Sequence, residues 1–478
     1  MSAEPVSRLY PFVFGRTQVS PVHPVTVRSP YSGDIVGRTG EASGLEVERA
    51  LDLAASAREP MRQLSSEQRR RALLELEQAV AAHQDELAIL ITAEAGKPVR
   101  DARAEVKRGL LTLRTAAEEA ARIGGEVMPL DLVPGAEGRF GITRRVPVGV
   151  VVGITPFNFP LNLVLHKLAP AIACGNPILI KASPRTPLTA LRLGELAAGV
   201  GLPDGAVSVL SGGAATVEHM LADARVAMLS FTGSAPVGWE LKQRAPRMRV
   251  TLELGGNAPN FVHHDADLDH AAQRLVTGAY AYAGQSCISV QRVFAHRGIY
   301  DALRARLVAG TQALRVGDPR DAATDVGPMI DEASAIRAES WIREAVVGGA
   351  KRVTGGERDG AFLTPCILEN VRPEMKVCSE EAFAPLLVLI PYSEIGAVLA
   401  EANASRYGLQ AGLFTRDMRF IMQAFEQLEV GGIIVNDVSA YRVDPMPYGG
   451  IKDSGVGREG IRYTIESMTE LKLLVLGR

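Results

Sequence analysis

The spacing of apolar and polar positions divides the chain into a helical first part and two parts in which strands and helices alternate. Over residues 45–121, apolar residues recur at helical spacing among Glu, Arg and Gln, which predicts a series of helices. Continuous apolar runs closed by turn residues follow at 148–154, 177–180 and 207–210, and a helical stretch at 188–198 separates two of them. Apolar strands alternating with helices are typical of a parallel sheet covered on both faces.

A second set of strands is predicted from Ala258 through Val293 and Leu386 to residues 433–435. The fold class is therefore α/β with two α/β domains. The last apolar run, residues 470–476, predicts one more strand. Since a strand this apolar needs a partner edge, we expect it to pair with another element, in this chain or in a second subunit.

Composition narrows the classes of function. The chain has 478 residues and a formal net charge of −2, so a nucleic acid or an anionic membrane surface is not an expected partner. Its cysteines form no C-x-x-C and have no His-rich neighbourhood, so neither a metal site nor a disulfide framework is predicted. Residues 1–20 lack the apolar core of a signal peptide, and no apolar run reaches about 18 residues. These features favour a soluble, cytoplasmic protein.

Three side chains suggest covalent chemistry on a carbonyl carbon. Cys287, in the run Tyr-Ala-Gly-Gln-Ser-Cys-Ile-Ser, is a candidate nucleophile, although a single cysteine is more often buried and inert. Glu253 ends a strand-like run between two leucines, where partial burial would raise its pKa toward the range of a general base; the alternative is an exposed strand-end carboxylate. Asn158, between Phe157 and Phe159, offers an amide to an oxyanion or, alternatively, caps the next helix.

Two segments suggest a nucleotide. Lys181 ends the run at 177–180, and the carboxyl ends of strands are where open α/β sheets bind nucleotides. In residues 230–238 a strand end leads into a helix start, and its glycines would let a pyrophosphate approach the helix N-terminus. Residues 455–460 match Gly-x-Gly-x-x-Gly more closely, but no strand leads into them, so we interpret them as a structural loop.

Taken in order, the segments around Asn158, Lys181, Ser234, Glu253 and Cys287, with Glu-Glu-Ala-Phe-Ala-Pro at 380–385, resemble the aldehyde dehydrogenase superfamily over nearly the whole chain. The resemblance implies a Rossmann-like cofactor domain (1–124 and 148–254), a catalytic domain (255–464) and a small oligomerisation sheet (125–147 and 465–478), assembled as a homodimer or homotetramer. It also implies that Cys287 attacks an aldehyde, that hydride passes to a nicotinamide, and that Glu253 activates the water that releases the acid.

The resemblance implies that the protein binds NAD or NADP through residues that lie before and after Cys287 in the chain. They are Ile154, Thr155, Pro156, Phe157, Lys181, Ser183, Gly213, Phe231, Thr232, Gly233, Ser234, Val237, Leu254, Glu381 and Phe383. Many NAD-preferring relatives carry a glutamate three residues after the lysine, where this chain has Pro184. Without that carboxylate a 2′-phosphate is not repelled, and Arg185 could pair with it, so NADP is an acceptable cofactor.

By the same resemblance, Phe159, His166 and two arginines, Arg108 and Arg442, contact the substrate. A pair of guanidiniums favours a carboxylate, phosphate or phosphonate on the aldehyde; the alternative is that these arginines are solvated or in surface ion pairs, as most arginines on polar helices are. The chain as a whole is similar to the lactaldehyde and succinate semialdehyde dehydrogenase branches. Arg462 falls where many relatives carry a second glutamate, which would leave Glu253 as the sole base. Two alternatives are an acyl-transferring dehydrogenase that makes acyl-CoA, against which Glu253 argues, and a non-enzymatic binding protein, which would be expected to lose the nucleophile or the base.

Overall fold

The structure, a computed structural model, describes residues 8–477. Helices fill the first part of the chain, as the apolar spacing predicts. Two of them begin at serines that form capping boxes: Ser43 accepts from Glu46 and Ser65 from Gln68, and each longer side chain reaches back to the serine backbone. Gly96 ends the third helix in the left-handed conformation (φ 67°), which a glycine adopts without steric cost.

The α-helices of residues 8–477 are α1 Gly44–Gln63, α2 Ser66–Ala82, α3 Gln84–Ala95, α4 Val99–Ala120, α5 Asn162–Cys174, α6 Leu188–Ala197, α7 Ala214–Ala222, α8 Ala235–Arg244, α9 Leu268–Tyr280, α10 Tyr300–Gln312, α11 Glu332–Val347, α12 Lys376–Ser379, α13 Ile395–Asn403, α14 Met418–Gln427 and α15 Ile461–Ser467. No helix in this range is long and apolar enough to cross a membrane.

The strands of the same range are β1 Phe12–Phe14, β2 Thr17–Val19, β3 Pro24–Arg28, β4 Ile35–Gly40, β5 Val127–Pro129, β6 Phe140–Pro147, β7 Val150–Ile154, β8 Ile178–Ala182, β9 Val207–Ser211, β10 Val226–Thr232, β11 Arg249–Glu253, β12 Ala258–Val262, β13 Val290–His296, β14 Lys351–Thr354, β15 Arg358–Asp359, β16 Phe362–Leu363, β17 Cys366–Glu369, β18 Leu386–Tyr392, β19 Tyr407–Gly408, β20 Gln410–Phe414, β21 Gly432–Val435, β22 Ile451–Lys452, β23 Gly455–Val456 and β24 Thr469–Leu476. Those predicted at 148–154, 177–180, 207–210 and 470–476 are confirmed.

The first large sheet has the order β2-β1-β9-β8-β7-β10-β11-β23, and its five central strands are parallel. The chain adds β8 and β9 on one side of β7 and places β10 and β11 on the other. The direction of winding therefore changes between β7 and β10, and ligands of open α/β sheets bind at such a point, outside the carboxyl ends of the strands. The ends of β7 and β10 carry Thr155 and Ser234, two residues of the predicted cofactor segments.

The second large sheet has the order β14-β17-β18-β13-β12-β20-β21. Its last six strands are parallel, and β14 pairs antiparallel with β17 at the edge. A third sheet, β24-β6-β5, is antiparallel and pairs the last strand with β6 along eight residues. Two large apolar cores accompany the large sheets, and α15 packs into the first of them through Ile461 and Ile465. The two α/β cores confirm the predicted α/β fold class.

The glycine-rich loop at 455–460 packs against β11. Contrary to the sequence-based expectation, short strands do lead into it: β22 and then β23, which pairs with β11. A Cβ on Gly455 would lie 2.1 Å from the carbonyl oxygen of Leu252, and one on Gly460 would lie 2.3 Å from that of Met446. The glycines therefore serve close backbone packing at positive φ, which agrees with a structural loop.

Candidate active site

A cavity of about 460 Å³ opens at the point where the first sheet changes its winding direction. Its wall combines Pro156–Phe159 after β7, Thr232–Ser234 at the end of β10 and Glu253–Gly255 after β11. From the second sheet come Ser286–Ile288, which precede β13, and Phe383, which precedes β18. The structure thus brings Cys287, Glu253 and Asn158 together in one cavity between the carboxyl edge of one sheet and the amino edge of the other.

Cys287 is a half-buried thiol with one polar neighbour. Its Sγ lies 2.8 Å from the Tyr448 hydroxyl. Burial raises the pKa of the thiol to about 12, although the Tyr448 hydrogen bond and the Arg442 charge act in the opposite direction. The thiol of the free protein is therefore neutral near neutral pH and must lose its proton as it reacts. The other three cysteines are buried away from the cavity.

Asn158 ties the loop after β7 to the loop that carries the thiol. Its side-chain nitrogen donates to the carbonyl oxygen of Gln285, 3.0 Å away, two residues before Cys287. The residue is 4% exposed and lines the cavity. Because an amide nitrogen has two hydrogens, one remains for an acceptor in the cavity.

Glu253 is 3% exposed, and neither carboxylate oxygen has a hydrogen-bond partner within residues 8–477. Burial raises its pKa well above the ordinary range of a glutamate, and the negative charge of Glu459 raises it further, while Arg442 and Lys167 oppose both effects. A buried carboxyl without partners, at the end of a strand and facing a cavity, has the environment that tunes a general base.

Glu459 is a further carboxyl group in the cavity wall, which the sequence analysis did not single out. Arg462, which we expected at the position of a second glutamate, lies at the surface and pairs with Glu466 at 3.4 Å. Glu459 instead lines the cavity, where it accepts from Lys167 and from Arg442, each at 3.1 Å. Although burial acts in the other direction, these cations hold its pKa at about 2, so it is a permanent anion.

The predicted cofactor residues follow the carboxyl edge of the first sheet. Thr155 donates its backbone N–H to the carbonyl of Lys181 at 3.2 Å, and Lys181 Nζ donates to the carbonyl of Gly212 at 3.1 Å. Burial lowers the pKa of Lys181 to about 8. The Ser183 hydroxyl accepts from the backbone of Arg185. A buried ammonium with only a carbonyl as hydrogen-bond partner fits a ligand that carries hydroxyl or phosphate groups.

Two helix N-termini lie at the same edge. Gly213 precedes α7 and Ser234 precedes α8, and neither residue makes a side-chain capping bond. Their free backbone donors fit a diphosphate. The other predicted residues here are apolar: Ile154 and Phe231 are buried in β7 and β10, whereas Val237, in the first turn of α8, is 44% exposed.

The nicotinamide side of the predicted site lies in the cavity wall itself. Glu381 Oε1 accepts the backbone N–H of Gly256 at 3.0 Å, and burial raises the pKa of Glu381 to about 7. The backbone of Phe383 has a positive φ of 49°. Its ring packs edge to face against the ring of Phe157, with 5.8 Å between the ring centroids. Pro156, Phe157, Thr232, Gly233, Ser234, Leu254, Glu381 and Phe383 all line the cavity.

The four predicted substrate residues lie in different environments. Arg108 and Arg442 line the cavity, as does Phe159, but both guanidiniums are paired: Arg108 holds both oxygens of Asp444 at 3.2 and 2.8 Å, and Arg442 holds Glu459. His166 is fully buried outside the cavity wall, and its Nε2 lies 2.8 Å from Asp444. Both guanidiniums of the predicted substrate pair therefore already have a carboxylate partner in this chain. Arg442 Nε is buried and has no partner within residues 8–477.

Two functional neighbours escaped the sequence analysis. Tyr448 is 3% exposed and touches both Cys287 and Arg442, whose Cζ lies 3.7 Å from its ring centre. The only signal was its place before Gly449 in Met-Pro-Tyr-Gly-Gly. The second is Lys97.

Lys97 is a fully buried cation beneath the loops of the nucleophile and the oxyanion donor. It pairs with Glu105, and its Nζ lies 3.8 Å from the ring centre of Phe159 and 4.6 Å from that of Tyr282. The second oxygen of Glu105 accepts the backbone N–H of Leu161 at the start of α5. Since both residues lie in or next to helices, nothing in the sequence pattern marked them as part of the site.

The chain is similar to known proteins over nearly its whole length. Residues 18–474 match the model of the aldehyde dehydrogenase family. The 3-sulfolactaldehyde dehydrogenase of Priestia aryabhattai is 48% identical over 424 residues, which cover 88% of this chain and 89% of the relative. Aldehyde dehydrogenase 21 from Physcomitrella patens, solved in complex with the reaction product succinate, superposes with a TM-score of 0.97 at 41% identity, covering 98% of each chain.

A third similar protein is glyceraldehyde-3-phosphate dehydrogenase from Methanocaldococcus jannaschii, solved in complex with NADP. It has a TM-score of 0.91 at 37% identity and covers 95% of this chain and 99% of its own. The family match spans nearly the whole sequence and the site carries a thiol, a buried carboxyl and an amide in one cavity. The chain belongs to the aldehyde dehydrogenase family and is an oxidoreductase of that family.

Proposed function

We propose that this protein oxidises a short, anionic or hydroxylated aldehyde to its carboxylic acid through a thioester on Cys287, with NAD or NADP as hydride acceptor. The observation that carries the proposal is the shared cavity, in which Cys287, Asn158 and Glu253 meet without any other cysteine. These groups supply a nucleophile, an oxyanion donor and a base for water.

In the first stage, Cys287 gives its proton to solvent water in the cavity, its sulfur bonds to the aldehyde carbon, and the electron pair of the C=O π bond moves to the oxygen. The oxygen of that carbon gains negative charge, which the free N–H of Asn158 stabilises together with the backbone N–H of Cys287. One such donor is typically worth about 10²–10³ in rate. Tyr448, in contact with the sulfur at 2.8 Å, stabilises the thiolate by donating its hydroxyl hydrogen.

When bound, the nicotinamide supplies the hydride acceptor that brings the carbon to the oxidation level of an acid. Lys181, Ser183 and the N-terminus of α8 at Ser234 would hold the nucleotide part, and Glu381 and Phe383, which line the cavity, would hold the nicotinamide end. Glu253 then takes a proton from water, the resulting hydroxide attacks the thioester, and the acid leaves as the thiolate of Cys287 is restored.

Both nicotinamide cofactors fit the described edge. Pro184 leaves no carboxylate to repel a 2′-phosphate. Arg185, which could pair with that phosphate, instead forms an ion pair with Asp331 at 2.5 Å and is 57% exposed. The similar archaeal enzyme was solved with NADP. Comparison of kcat/KM for the two cofactors tests this part, and we expect use of both within about tenfold, or about 1.4 kcal/mol.

An anionic substrate is supported by Arg442. Its buried Nε–H lacks an acceptor, and a sulfonate or carboxylate at the far end of a short aldehyde would provide one. One similar protein acts on 3-sulfolactaldehyde, and another was solved with succinate, so both of those relatives handle a small anion. We therefore propose anionic substrates of the type of 3-sulfolactaldehyde and succinate semialdehyde. Lactaldehyde, which is neutral and hydroxylated, is the second candidate, because a lactaldehyde dehydrogenase is among the similar proteins.

The test is kcat/KM for these three aldehydes and for propionaldehyde, measured in the wild type, in Arg442→Gln and in Arg462→Gln. We expect Arg442→Gln to lower kcat/KM at least tenfold more for the two anionic aldehydes than for propionaldehyde. Arg462→Gln, a change at an exposed arginine, should leave all four values unchanged. An equal loss for anionic and neutral aldehydes would discard the recognition of the anion by Arg442.

Hydrolysis, rather than transfer of the acyl group to coenzyme A, is proposed because Glu253 is present and faces the thiol's cavity. Analysis of the product with and without coenzyme A distinguishes the two reactions. The free acid in both cases supports the proposal, and an acyl-CoA product contradicts it.

A homo-oligomer is proposed from the third sheet. In β24, Leu471, Leu473, Leu474 and Val475 are 49–60% exposed, an apolar row that a second copy would cover. Light scattering of the wild type and of Leu473→Glu tests this: the wild type should be a dimer or larger, and the variant should have a smaller mass. A monomeric wild type would contradict the proposal.

A further inference from the structure

Three imidazoles meet at the carboxyl edge of the second sheet, at the end opposite to the catalytic cavity. His263 follows β12, His296 ends β13, and His264 lies beside both. Their ring centroids are 4.3 Å apart for His263 and His264, 5.3 Å for His263 and His296, and 5.4 Å for His264 and His296. None of them lines the catalytic cavity. Because β13 has seven residues, about 20 Å of strand separates this edge from the thiol loop.

The carboxylate of Asp265 lies close to two of the imidazoles. The nearest ligand atoms of His263, His264 and Asp265 all lie within 4.8 Å of one another. A tetrahedral metal with bonds of about 2.0–2.1 Å separates its ligand atoms by about 3.4 Å. The ligand atoms must therefore move closer than 4.8 Å when a metal binds. Rotation of the His264 ring can supply this movement, because His264 is exposed and makes no ring hydrogen bond among residues 8–477.

The two less mobile groups are held by the partners that metal ligands usually have. Nδ1 of His263 lies 2.7 Å from the Tyr392 hydroxyl, and in the tautomer that donates from Nδ1, the lone pair is on Nε2. Both oxygens of Asp265 are oriented, one by the Thr415 hydroxyl at 2.8 Å and the other by the backbone N–H of Arg416 at 2.9 Å. Each oxygen keeps a second lone pair for a metal. Such outer hydrogen bonds fix the orientation of the ligands.

We propose that His263, His264 and Asp265 form a binding site for a divalent transition metal of the zinc, cobalt or nickel type. Two imidazoles and one carboxylate select such metals over Mg²⁺ and Ca²⁺, which prefer oxygen ligands only. Three protein ligands leave a coordination position for water. His296 is a neighbour and not a ligand, because its Nδ1 accepts the backbone N–H of Gly298 at 3.1 Å. The site is independent of the proposed oxidation of aldehydes, because its residues lie on the other edge of the sheet.

The test is isothermal titration of the full chain, without an affinity tag, with ZnCl₂ and separately with MgCl₂. Cys287→Ala is the parent protein for the titration, because a thiol would bind Zn²⁺ itself. We expect one Zn²⁺ per chain and no heat of binding with Mg²⁺. Added to that parent, His264→Ala and Asp265→Asn should each weaken Zn²⁺ binding at least tenfold.

His23→Ala provides the matched control, because His23 is an exposed histidine outside the cluster, and it should leave the affinity unchanged. Cobalt absorption in the parent and in His264→Ala gives a second readout that does not depend on stability, and the tetrahedral band should be lost in the variant. If the parent binds no stoichiometric Zn²⁺, or if His264→Ala and Asp265→Asn bind it as tightly as the parent, the proposal is wrong.

Discussion

The Tyr448 hydroxyl lies 2.8 Å from Cys287 Sγ, and the ring that carries it packs against the guanidinium of Arg442. The side chain therefore links the nucleophile to a buried cation. Within residues 8–477, the Tyr448 hydroxyl is the only hydrogen-bond partner of the Cys287 thiol. Removal of this hydroxyl therefore has a measurable effect on the reactivity of the thiol.

Tyr448→Phe should slow the reaction of the Cys287 thiol. A hydrogen bond to a charged group is worth about 1.5–3 kcal/mol, so its loss raises the thiol pKa by about one to two units. Below that pKa the thiolate fraction falls in proportion, and the alkylation rate at a fixed, mildly alkaline pH should drop about ten- to hundredfold. The phenylalanine ring preserves the packing against Arg442.

Iodoacetamide alkylation, followed at Cys287 by mass spectrometry, measures this rate. Tyr300→Phe is the control, because its hydroxyl bonds to the carbonyl of Leu389, away from the cavity. An alkylation rate in Tyr448→Phe equal to that of the wild type would mean that the hydroxyl does not stabilise the thiolate.

Glu459→Gln should shift the pH dependence of turnover to lower pH. Burial and the charge of Glu459 both raise the pKa of Glu253, so removal of that charge lowers the pKa. Lys167 and Arg442, freed from Glu459, lower it further. Because Glu253 acts as a base when deprotonated, the rising limb of steady-state kcat against pH should move toward acid.

Glu466→Gln is the control for this experiment, since Glu466 is a surface residue paired only with Arg462. Its pH profile should coincide with that of the wild type. If Glu459→Gln shifts the rising limb toward higher pH, the electrostatic coupling between the two carboxyls has been assigned with the wrong sign.

Lys97→Met should destabilise the fold by about 3–5 kcal/mol, the usual result of leaving one partner of a buried ion pair without the other. In the double variant Lys97→Met/Glu105→Gln the uncompensated charge is gone, while the amide oxygen can still accept from Leu161. Part of the stability should therefore return. Denaturation by urea measures the free energy of unfolding of the single and the double variant. The control is Lys107→Met, a change at an exposed lysine in the same helical region, which should leave this free energy unchanged. A single variant as stable as the wild type would contradict this account of Lys97.

Local patterns predicted most of the architecture. The helices from α1 to α4 and the strands β7, β8 and β9 follow from apolar spacing, because each element buries a face that its own sequence defines. Glu253 and Asn158 were found because they lie at strand ends beside glycine or proline, where the sequence itself marks the boundary.

What the sequence could not provide are contacts between distant parts of the chain. Asp444 joins Arg108 and His166, which precede it by 336 and 278 positions, and neither partner has a local pattern that requires a carboxylate. For the same reason the two arginines looked free in the sequence, whereas each is paired in the structure. The position of Glu459 was missed because it lies in a loop whose glycines serve backbone packing.

The central claim, that Cys287 carries the acyl group and Glu253 releases it, is tested most directly by rapid mixing of Glu253→Gln with 3-sulfolactaldehyde or succinate semialdehyde and cofactor. The account predicts a burst of about one reduced nicotinamide per subunit, followed by steady turnover about a hundredfold slower than that of the wild type. It also predicts that mass spectrometry finds the acyl adduct on Cys287. Steady turnover equal to that of the wild type, or an adduct on another residue, would contradict it.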